Sequence, residues 1–127
     1  MLDVDCFKVI NDTYGHVAGD TVLRELCATV QSNIREGHDW LARFGGEEFL
    51  ISLPGADQNA AGRIAEKIRA AVESKEIQWE EKKINVTVSM GAYTMDSEEL
   101  NLSELLARVD KNLYKAKEKG RNTVVLT

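Results

Sequence analysis

The feature that most constrains the fold is the Gly-Gly pair at residues 45–46, which lies between two apolar runs at 40–42 and 49–53. Glycines between two runs of this kind predict a tight hairpin whose two central residues both have positive φ. Two adjacent carboxylates, Glu47 and Glu48, would then lie at the tip or just past it, with their side chains on opposite faces. Glycines let a ligand approach the backbone and carboxylates can hold a hard cation, although two solvated surface glutamates fit the same pattern.

A second pair of carboxylates stands at the start of the chain. Residues 1–5 are typical of the end of a buried strand, so Asp3 and Asp5 would share one face of that strand. Open α/β sheets usually place ligand chemistry at the carboxyl ends of strands, which favours a functional role for Asp3. Asp5 precedes a predicted helix over residues 7–14, and capping that helix is its ordinary explanation.

Apolar residues at helical spacing predict three later helices. The first of these helices begins at Gly19 or Asp20, and Asp20 is its candidate N-cap. His16 is expected in the loop before this helix. The second begins after the cap Asp57, and the third occupies residues 103–119.

Alternating residues at 77–79 and 84–90 predict a second hairpin that turns at 81–82, and residues 123–126 predict a closing strand. The order of elements is then β-α-α-β-β-α-β-β-α-β. This order predicts a single α/β (α+β) domain over residues 1–127, with a mixed, mainly antiparallel central sheet of about five to seven strands flanked by helices.

The charge and the cysteines exclude some functions. A net charge of −5 gives no global basic footprint for nucleic acid, so an anionic ligand would need a local Lys/Arg cluster or a metal. No apolar run is long enough for a membrane span, and no signal peptide is recognisable. Cys6 and Cys27 lack paired metal-ligand spacing, so we expect core or near-core thiols in a reducing, cytoplasmic compartment. Lys117 and Arg121 could grip phosphates, or simply balance the dipole at the end of a helix.

Four motifs in order along the chain resemble the GGDEF family of diguanylate cyclases. The resemblance extends over essentially the whole sequence, and the four motifs lie at residues 3–12, 15–20, 43–49 and 114–122. The third motif resembles the family signature in its accepted GGEEF form, in which Glu47 takes the place of Asp. The resemblance implies a fold similar to the palm of nucleotide polymerases and class III nucleotidyl cyclases.

The resemblance also implies an activity. The family joins two GTP molecules into cyclic di-GMP and releases pyrophosphate, as a homodimer with one GTP per domain. A metal-dependent nucleotidyltransferase with Mg²⁺ (or Mn²⁺) as cofactor is therefore expected, with a sensory or receiver domain ahead of it in the full-length chain. Neither nucleic acid nor a membrane is expected as a partner of this domain.

Carried over by motif, the resemblance assigns residues to each task. The catalytic carboxylates are Asp3, Glu47 and Glu48. The same three residues would hold the metal, together with the backbone carbonyl of Val4. Glu48 would be a further metal ligand or would assist deprotonation of the ribose 3′-OH. A carboxylate accepts both N1–H and N2–H of guanine, and the guanine-reading pair is Asn11 and Asp20. The phosphate-binding residues are Cys6, Phe7, Lys8, Lys117 and Arg121. The active-site turn consists of Gly45 and Gly46.

The sequence departs from the family pattern in three places. Cys6 stands where the family often has an aromatic residue or His, but this position contributes only backbone, so we expect little effect. Glu36 stands where the family's product-inhibition motif, Arg-x-x-Asp, has its Arg, while Asp39 is in place and Arg35 comes one residue early. We therefore expect weak or absent product inhibition through this motif. The family's N-terminal helix and loop are missing ahead of Met1, so the chain is interpreted as a truncated piece, a loss that can lower stability or activity.

Two other functions stay open on the sequence. A regulatory module that binds GTP without turnover would show normal GTP affinity and no product. A generic metal-dependent nucleotidyl transferase or phosphohydrolase follows from the carboxylates alone, and activity on ATP or CTP would support it.

Overall fold

The computed structural model describes residues 1–95 and 100–127. Within these residues the elements are, in order, β1 (Leu2–Val4), α1 (Phe7–Tyr14), α2 (His16–Gln31), β2 (Trp40–Gly45), β3 (Glu48–Ser52), α3 (Gln58–Ser74), β4 (Ile77–Trp79), β5 (Lys82–Ile84), β6 (Val88–Ala92), α4 (Leu102–Glu118) and β7 (Val124–Leu126). None of the helices in the described ranges has the length and apolar character needed to cross a membrane.

The central sheet has five strands in the order β2-β3-β1-β6-β7. The pairs β2–β3, β3–β1 and β1–β6 are antiparallel. Only the last pair, β6–β7, is parallel, because α4 crosses over between these two strands. The predicted α+β fold with a mainly antiparallel sheet is confirmed, and β1 is its middle strand.

Helices cover both faces of this sheet. Buried residues from β1, α1, α2, α3 and β6 form the main core on one face. A smaller cluster, built on Val109 and Leu113 of α4, covers the other face. Because side chains alternate along β1, Leu2 and Val4 face the main core while Asp3 faces the side of α4. This alternation is what sends a carboxylate toward the end of α4.

The second helix begins earlier than the sequence predicts. Gly15, with φ 93°, closes α1 through its N–H to the Asn11 carbonyl, and α2 starts at the next residue. His16 is therefore helical and not in a loop. Asp20 lies inside α2 and does not cap it, because the N-cap is Gly15. A single left-handed glycine replaces the expected loop.

The run at residues 84–90 is two strands and not one. The small hairpin turns at residues 80–81, where Glu80 has φ 53°, and forms a separate two-stranded sheet of β4 and β5. Residues 85–87 then lead to β6 in the central sheet. The alternation of apolar and polar residues continues through this break, since Val86 is buried in the main core. The described residues therefore form seven strands, one more than the six in the predicted order, and five of them make the central sheet.

The helix caps agree better with the sequence. Asp57 caps α3 as predicted, since its side chain accepts a hydrogen bond from Ala60 N. The last helix starts one residue before the predicted Ser103, with a capping box between Asn101 and Glu104.

The hairpin at the glycine pair forms, but its turn is shifted by one residue. Gly45 is the last residue of β2 and pairs with Glu48, so the turn consists of Gly46 and Glu47. Of the two glycines, Gly46 has a positive φ of 49° and Gly45 does not, so the prediction of two positive φ values is wrong. The Arg43 guanidinium closes the turn by donating to the Gly46 carbonyl at 2.9 and 2.7 Å.

Candidate active site

Three acidic residues are neighbours where β1 ends beside the hairpin. Asp3 and Glu48 are direct partners in the β1–β3 register, so their side chains share a face. Glu47 lies in the turn next to them, where Val4 N donates to its carbonyl at 3.2 Å. The structure therefore brings together the carboxylates that the sequence selected from two distant segments.

The Asp3 carboxyl group is unusual in its electrostatics. Asp3 is only 6% exposed, and this burial raises its pKa to about 6, with the charges of Glu47 and Glu48 adding to the rise. Lys117, near the end of α4, opposes the rise, with its Nζ 3.2 Å from Asp3 Oδ2. The ammonium group thus partly balances a cluster of negative charge that a divalent cation would balance better.

The same carboxylates fit only part of a metal site. Within the described ranges no three His, Cys, Asp or Glu side chains are close enough together to hold an ion. Mg²⁺ commonly takes one or two carboxylates from the protein and completes its shell with water and substrate phosphates. The buried Asp3 with Glu47 or Glu48 fits that incomplete donor set. The metal ligands predicted from the sequence, including the Val4 carbonyl, stay a prediction.

A pocket of about 410 Å³ lies between α1, α2 and the hairpin. Its wall contains both predicted guanine-reading residues, Asn11 and Asp20. The Asn11 Oδ1 atom is buried and has no hydrogen-bond partner among the described residues. An unpartnered buried acceptor is costly, so the close packing of Asn11 against α2 is maintained against a free-energy penalty.

The pocket depends on the close approach of α1 and α2. A Cβ atom on Gly19 would collide with Asn11 Oδ1 and would lie 3.2 Å from the Phe7 ring. Gly19 therefore lets the Asn11 amide occupy its place in the wall. The early start of α2 puts Asp20 on its second turn, exposed and lining the same pocket.

The start of α1 adjoins the carboxylates. Cys6 has the left-handed φ of 54° and its carbonyl accepts hydrogen bonds from the N–H groups of residues 9 and 10. The first N–H groups of a helix have no acceptor inside the helix and can bind an anion. Phe7 is buried, and both Phe7 and Lys8 line the pocket. Cys6 is exposed, so the expectation of a buried thiol is wrong, because this residue occupies the turn between β1 and α1.

Lys117 and Arg121 are not on one helix face, because α4 ends at Glu118. Gly120, with φ 104°, allows a Schellman turn in which Arg121 N donates to the Ala116 carbonyl at 3.1 Å. Lys117 reaches Asp3, while Arg121 is exposed on the loop that follows the helix. Their phosphate-binding roles stay predictions.

Asp5 is the site residue that the sequence analysis misassigned. It does not cap α1, whose N-cap is Cys6 and has no side-chain hydrogen bond. Instead the buried Asp5 carboxylate accepts hydrogen bonds from Thr87 Oγ1 at 2.7 Å, Ser89 Oγ at 2.6 Å and Asn122 N at 3.0 Å. The predicted shared face of Asp3 and Asp5 was a sign that Asp5 points toward the sheet. Its hydrogen-bond partners, however, lie too far along the chain to infer from the sequence.

The motif at residues 35–39 is internally satisfied. Arg35 donates to the buried Asp39 carboxylate from its backbone N at 2.8 Å and its Nη2 at 2.7 Å, and Nη2 also reaches the Pro54 carbonyl at 2.8 Å. The Arg35 guanidinium holds the pKa of Asp39 below its usual range. The expectation of weak product inhibition stays a prediction.

Comparison with known proteins assigns the family. The model of the family described as "Diguanylate cyclase, GGDEF domain" matches residues 1–123, and the chain belongs to that family. Diguanylate cyclase A of Treponema denticola is 46% identical over 127 residues, which are 100% of this chain and 34% of that protein. The chain thus spans only about a third of the length of this curated relative.

Two solved structures confirm the fold. Diguanylate cyclase SiaD from Pseudomonas aeruginosa, solved in complex with its activator SiaC, matches with a TM-score of 0.92 and 37% identity, over 99% of this chain and 48% of that chain. The active GGEEF domain of a diguanylate cyclase from Vibrio cholerae matches with a TM-score of 0.86 and 33% identity, over 98% of this chain and 78% of that chain. The recognition made from the four motifs is confirmed.

Proposed function

We propose that this domain is a diguanylate cyclase that condenses two GTP molecules into cyclic di-GMP and pyrophosphate. It acts as a homodimer with one GTP per domain and with Mg²⁺ or Mn²⁺ as cofactor. The observation that carries the proposal is the convergence of Asp3, Glu48 and Lys117 beside a pocket whose wall contains Asn11 and Asp20. Membership of the GGDEF family supports it.

The pocket between α1 and α2 is the proposed guanine site. The Asp20 carboxylate accepts N1–H and N2–H of guanine, and the Asn11 side-chain amide, in the wall of the same pocket, binds the same edge of the base. Adenine presents no such pair of donors, so these two side chains select GTP over ATP.

The reaction is a phosphoryl transfer from one GTP to the other. The ribose 3′-oxygen of one molecule attacks the α-phosphorus of its partner, the bond to the β-phosphate breaks, and pyrophosphate leaves; the second, reciprocal transfer closes the ring. Glu48, half-buried beside Asp3, accepts the 3′-hydroxyl proton. A cation held by Asp3, Glu47 and the Val4 carbonyl supplies charge neutralisation at the α-phosphate when it is bound.

Cationic and backbone groups hold the phosphates. Lys117 bonds Asp3 in the ligand-free protein and turns to the β- and γ-phosphates when substrate is bound. Arg121, Lys8 and the backbone N–H groups at Cys6 and Phe7 complete this binding. Since the relatives are longer than this chain, we also propose a sensory or receiver domain ahead of it in a cytoplasmic signalling protein.

Incubation with GTP and Mg²⁺, followed by chromatography for cyclic di-GMP, tests the proposal. The parent protein should form the product and the isosteric Glu48→Gln variant should not. ATP and CTP serve as control substrates, since turnover of either would favour a generic nucleotidyl transferase. Normal GTP affinity with no product would instead support a regulatory module that binds GTP without turnover.

A further inference from the structure

We propose that Asp5 is a positioning residue, which holds the loop after α4 in the conformation that presents Arg121 to the substrate phosphates. This inference rests on the proposed function, because it takes Arg121 as a phosphate-binding residue. It assigns a role to a buried carboxylate that the proposed reaction does not otherwise use.

The loop after α4 has an unusual backbone. Gly120, Arg121 and Asn122 have φ values of 104°, 66° and 46°, so three consecutive residues are left-handed. A side chain at positive φ brings Cβ too close to the following carbonyl oxygen, which Asn tolerates better than Arg. Arg121 therefore keeps this conformation only if contacts on either side of it hold the loop in place.

Asp5 supplies the contact from the sheet. Its Oδ2 accepts Asn122 N at 3.0 Å, one residue beyond Arg121. Thr87, just before β6, donates to the same Oδ2 atom at 2.7 Å, and Ser89, within β6, donates to Oδ1 at 2.6 Å. Because the carboxylate is 7% exposed and bonded to two hydroxyls, it offers the loop a rigid acceptor.

The Asn122 side chain supplies a second contact, to α3. Its Oδ1 accepts from Arg69 Nη1 at 2.8 Å and its Nδ2 donates to Glu73 Oε1 at 2.9 Å. Arg69 is itself held by ion pairs with Glu66 and Glu73, each at 2.6 Å. The loop is thus held between the end of β1 and one face of α3, with Arg121 projecting from it.

The same strand end therefore sets two parts of the site. Asp3 belongs to the carboxylate cluster and contacts Lys117, while Asp5, two residues on, fixes the loop that carries Arg121. Loss of the Asp5 contact should leave the guanine pocket intact and should weaken only the interactions made by the phosphates.

Binding of two nucleotides separates these effects. One is a GTP analogue in which a methylene group replaces the oxygen between the α- and β-phosphates, and the other is GMP. Calorimetric titration with each gives the preference for the triphosphate. For Asp5→Ala we expect this preference to fall on the order of tenfold, with GMP affinity close to that of the parent. Asp5→Asn keeps an oxygen that can accept Asn122 N–H, so it should retain most of the preference.

Two further variants distinguish loss of the loop contacts from a general loss of stability. Thr87→Val removes one hydrogen bond from Asp5 but leaves the bond to Asn122, and it should keep the parent preference. Asn122→Gly keeps the left-handed backbone and its N–H but removes both side-chain contacts to α3, so it should lower the preference. If Asp5→Ala does not fold, Asp5→Leu decides by the same criterion, because its side chain nearly matches Asp in shape but cannot accept the Asn122 N–H.

An unchanged preference in folded Asp5→Ala would overturn the proposal. So would a loss in Thr87→Val as large as that in Asp5→Ala, because general destabilisation would then explain both. Arg121→Ala separates this proposal from the function on which it rests. If Arg121→Ala keeps the parent preference, the phosphate assignment fails as well, whereas a loss there without one in Asp5→Ala removes only the positioning role.

Discussion

Asp3 is buried beside two other carboxylates, and that burial gives it a pKa of about 6 against an ordinary value of 3.8. Folding therefore favours its protonated form. Between these two pH values the native chain binds the proton that the unfolded chain has lost, so the Asp3 contribution to stability falls as pH rises. Above the higher value the metal-free protein bears the full cost of a buried, ionised Asp3.

Replacement of Asp3 tests this at the scale of one residue. Without divalent metal at neutral pH, Asp3→Asn should raise the free energy of unfolding by ~1–3 kcal/mol, a range that already includes the opposing contact of Asp3 with Lys117. The gain should vanish below about pH 4, where Asp3 is protonated in both states. The same variant should lose on the order of a thousandfold in cyclic di-GMP formation. Urea denaturation at neutral pH and below about pH 4 measures the change in the free energy of unfolding. A gain in stability that is the same at both pH values would contradict the prediction.

Asp20 should determine the choice of base. We expect Asp20→Asn to lower kcat/KM for GTP on the order of a hundredfold. The carboxylate has two oxygens that accept N1–H and N2–H of guanine, whereas the amide has one oxygen and an NH2 group that would face a guanine N–H. Asp12 lines the same pocket, so Asp12→Asn is a control matched in charge and size. Steady-state kinetics with GTP and ATP compare the two variants. Equal losses from both would mean that the pocket responds only to charge.

At the scale of elements, the packing of α1 on α2 shapes the pocket that we propose as the guanine site. A glycine inside a helix usually gains about 0.5–1 kcal/mol of stability when it is replaced by Ala. Gly19→Ala should instead lose GTP affinity, because the new methyl group would occupy the position of Asn11 Oδ1. Gly62→Ala, inside α3, is the control, since its methyl group would meet only the Leu126 side chain, at 3.1 Å. Calorimetric GTP binding by both variants tests the idea, and equal affinities would refute it.

What the sequence predicts well at this scale is local. The hairpin, the Asp57 cap and the helical residues of α1, α3 and α4 all follow from periodicity and capping chemistry. The start of α2 did not follow, because a single left-handed glycine can replace a loop without a distinct pattern. The break at residues 85–87 was hidden because the alternation continues through it while the strand pairing changes.

The site itself was only partly predictable, and the reason is sequence distance. The motifs selected Asp3, Glu48 and Lys117, and the structure brings them together. The role of Asp5 was missed, because its acceptor function depends on Asn122 and on β6, both far along the chain. A short-range cap and a long-range hydrogen bond leave the same trace in the sequence, namely a carboxylate before a helix.

The order β2-β3-β1-β6-β7 explains how the whole molecule assembles one site. With β1 in the middle, its carboxyl end lies beside the start of β3 on one side and beside β6 on the other. Since α4 packs over β6, its last turn delivers Lys117 to Asp3. The described residues of one domain thus present the acidic residues beside the pocket, and under the proposed function this arrangement takes one GTP.

A site for one GTP cannot complete a reaction that consumes two, so the proposed activity requires a pair of domains. Glu48→Gln protein added to a constant amount of parent should therefore lower the rate of cyclic di-GMP formation, because mixed dimers lack one of the two proton acceptors. At a large excess of the variant nearly every parent chain is in a mixed dimer, and the rate should approach zero. Rates followed by chromatography across such a titration decide the point, with serum albumin as the control for added protein. A rate that does not change with added variant would mean that one chain performs both transfers, and the proposed dimer mechanism would be wrong.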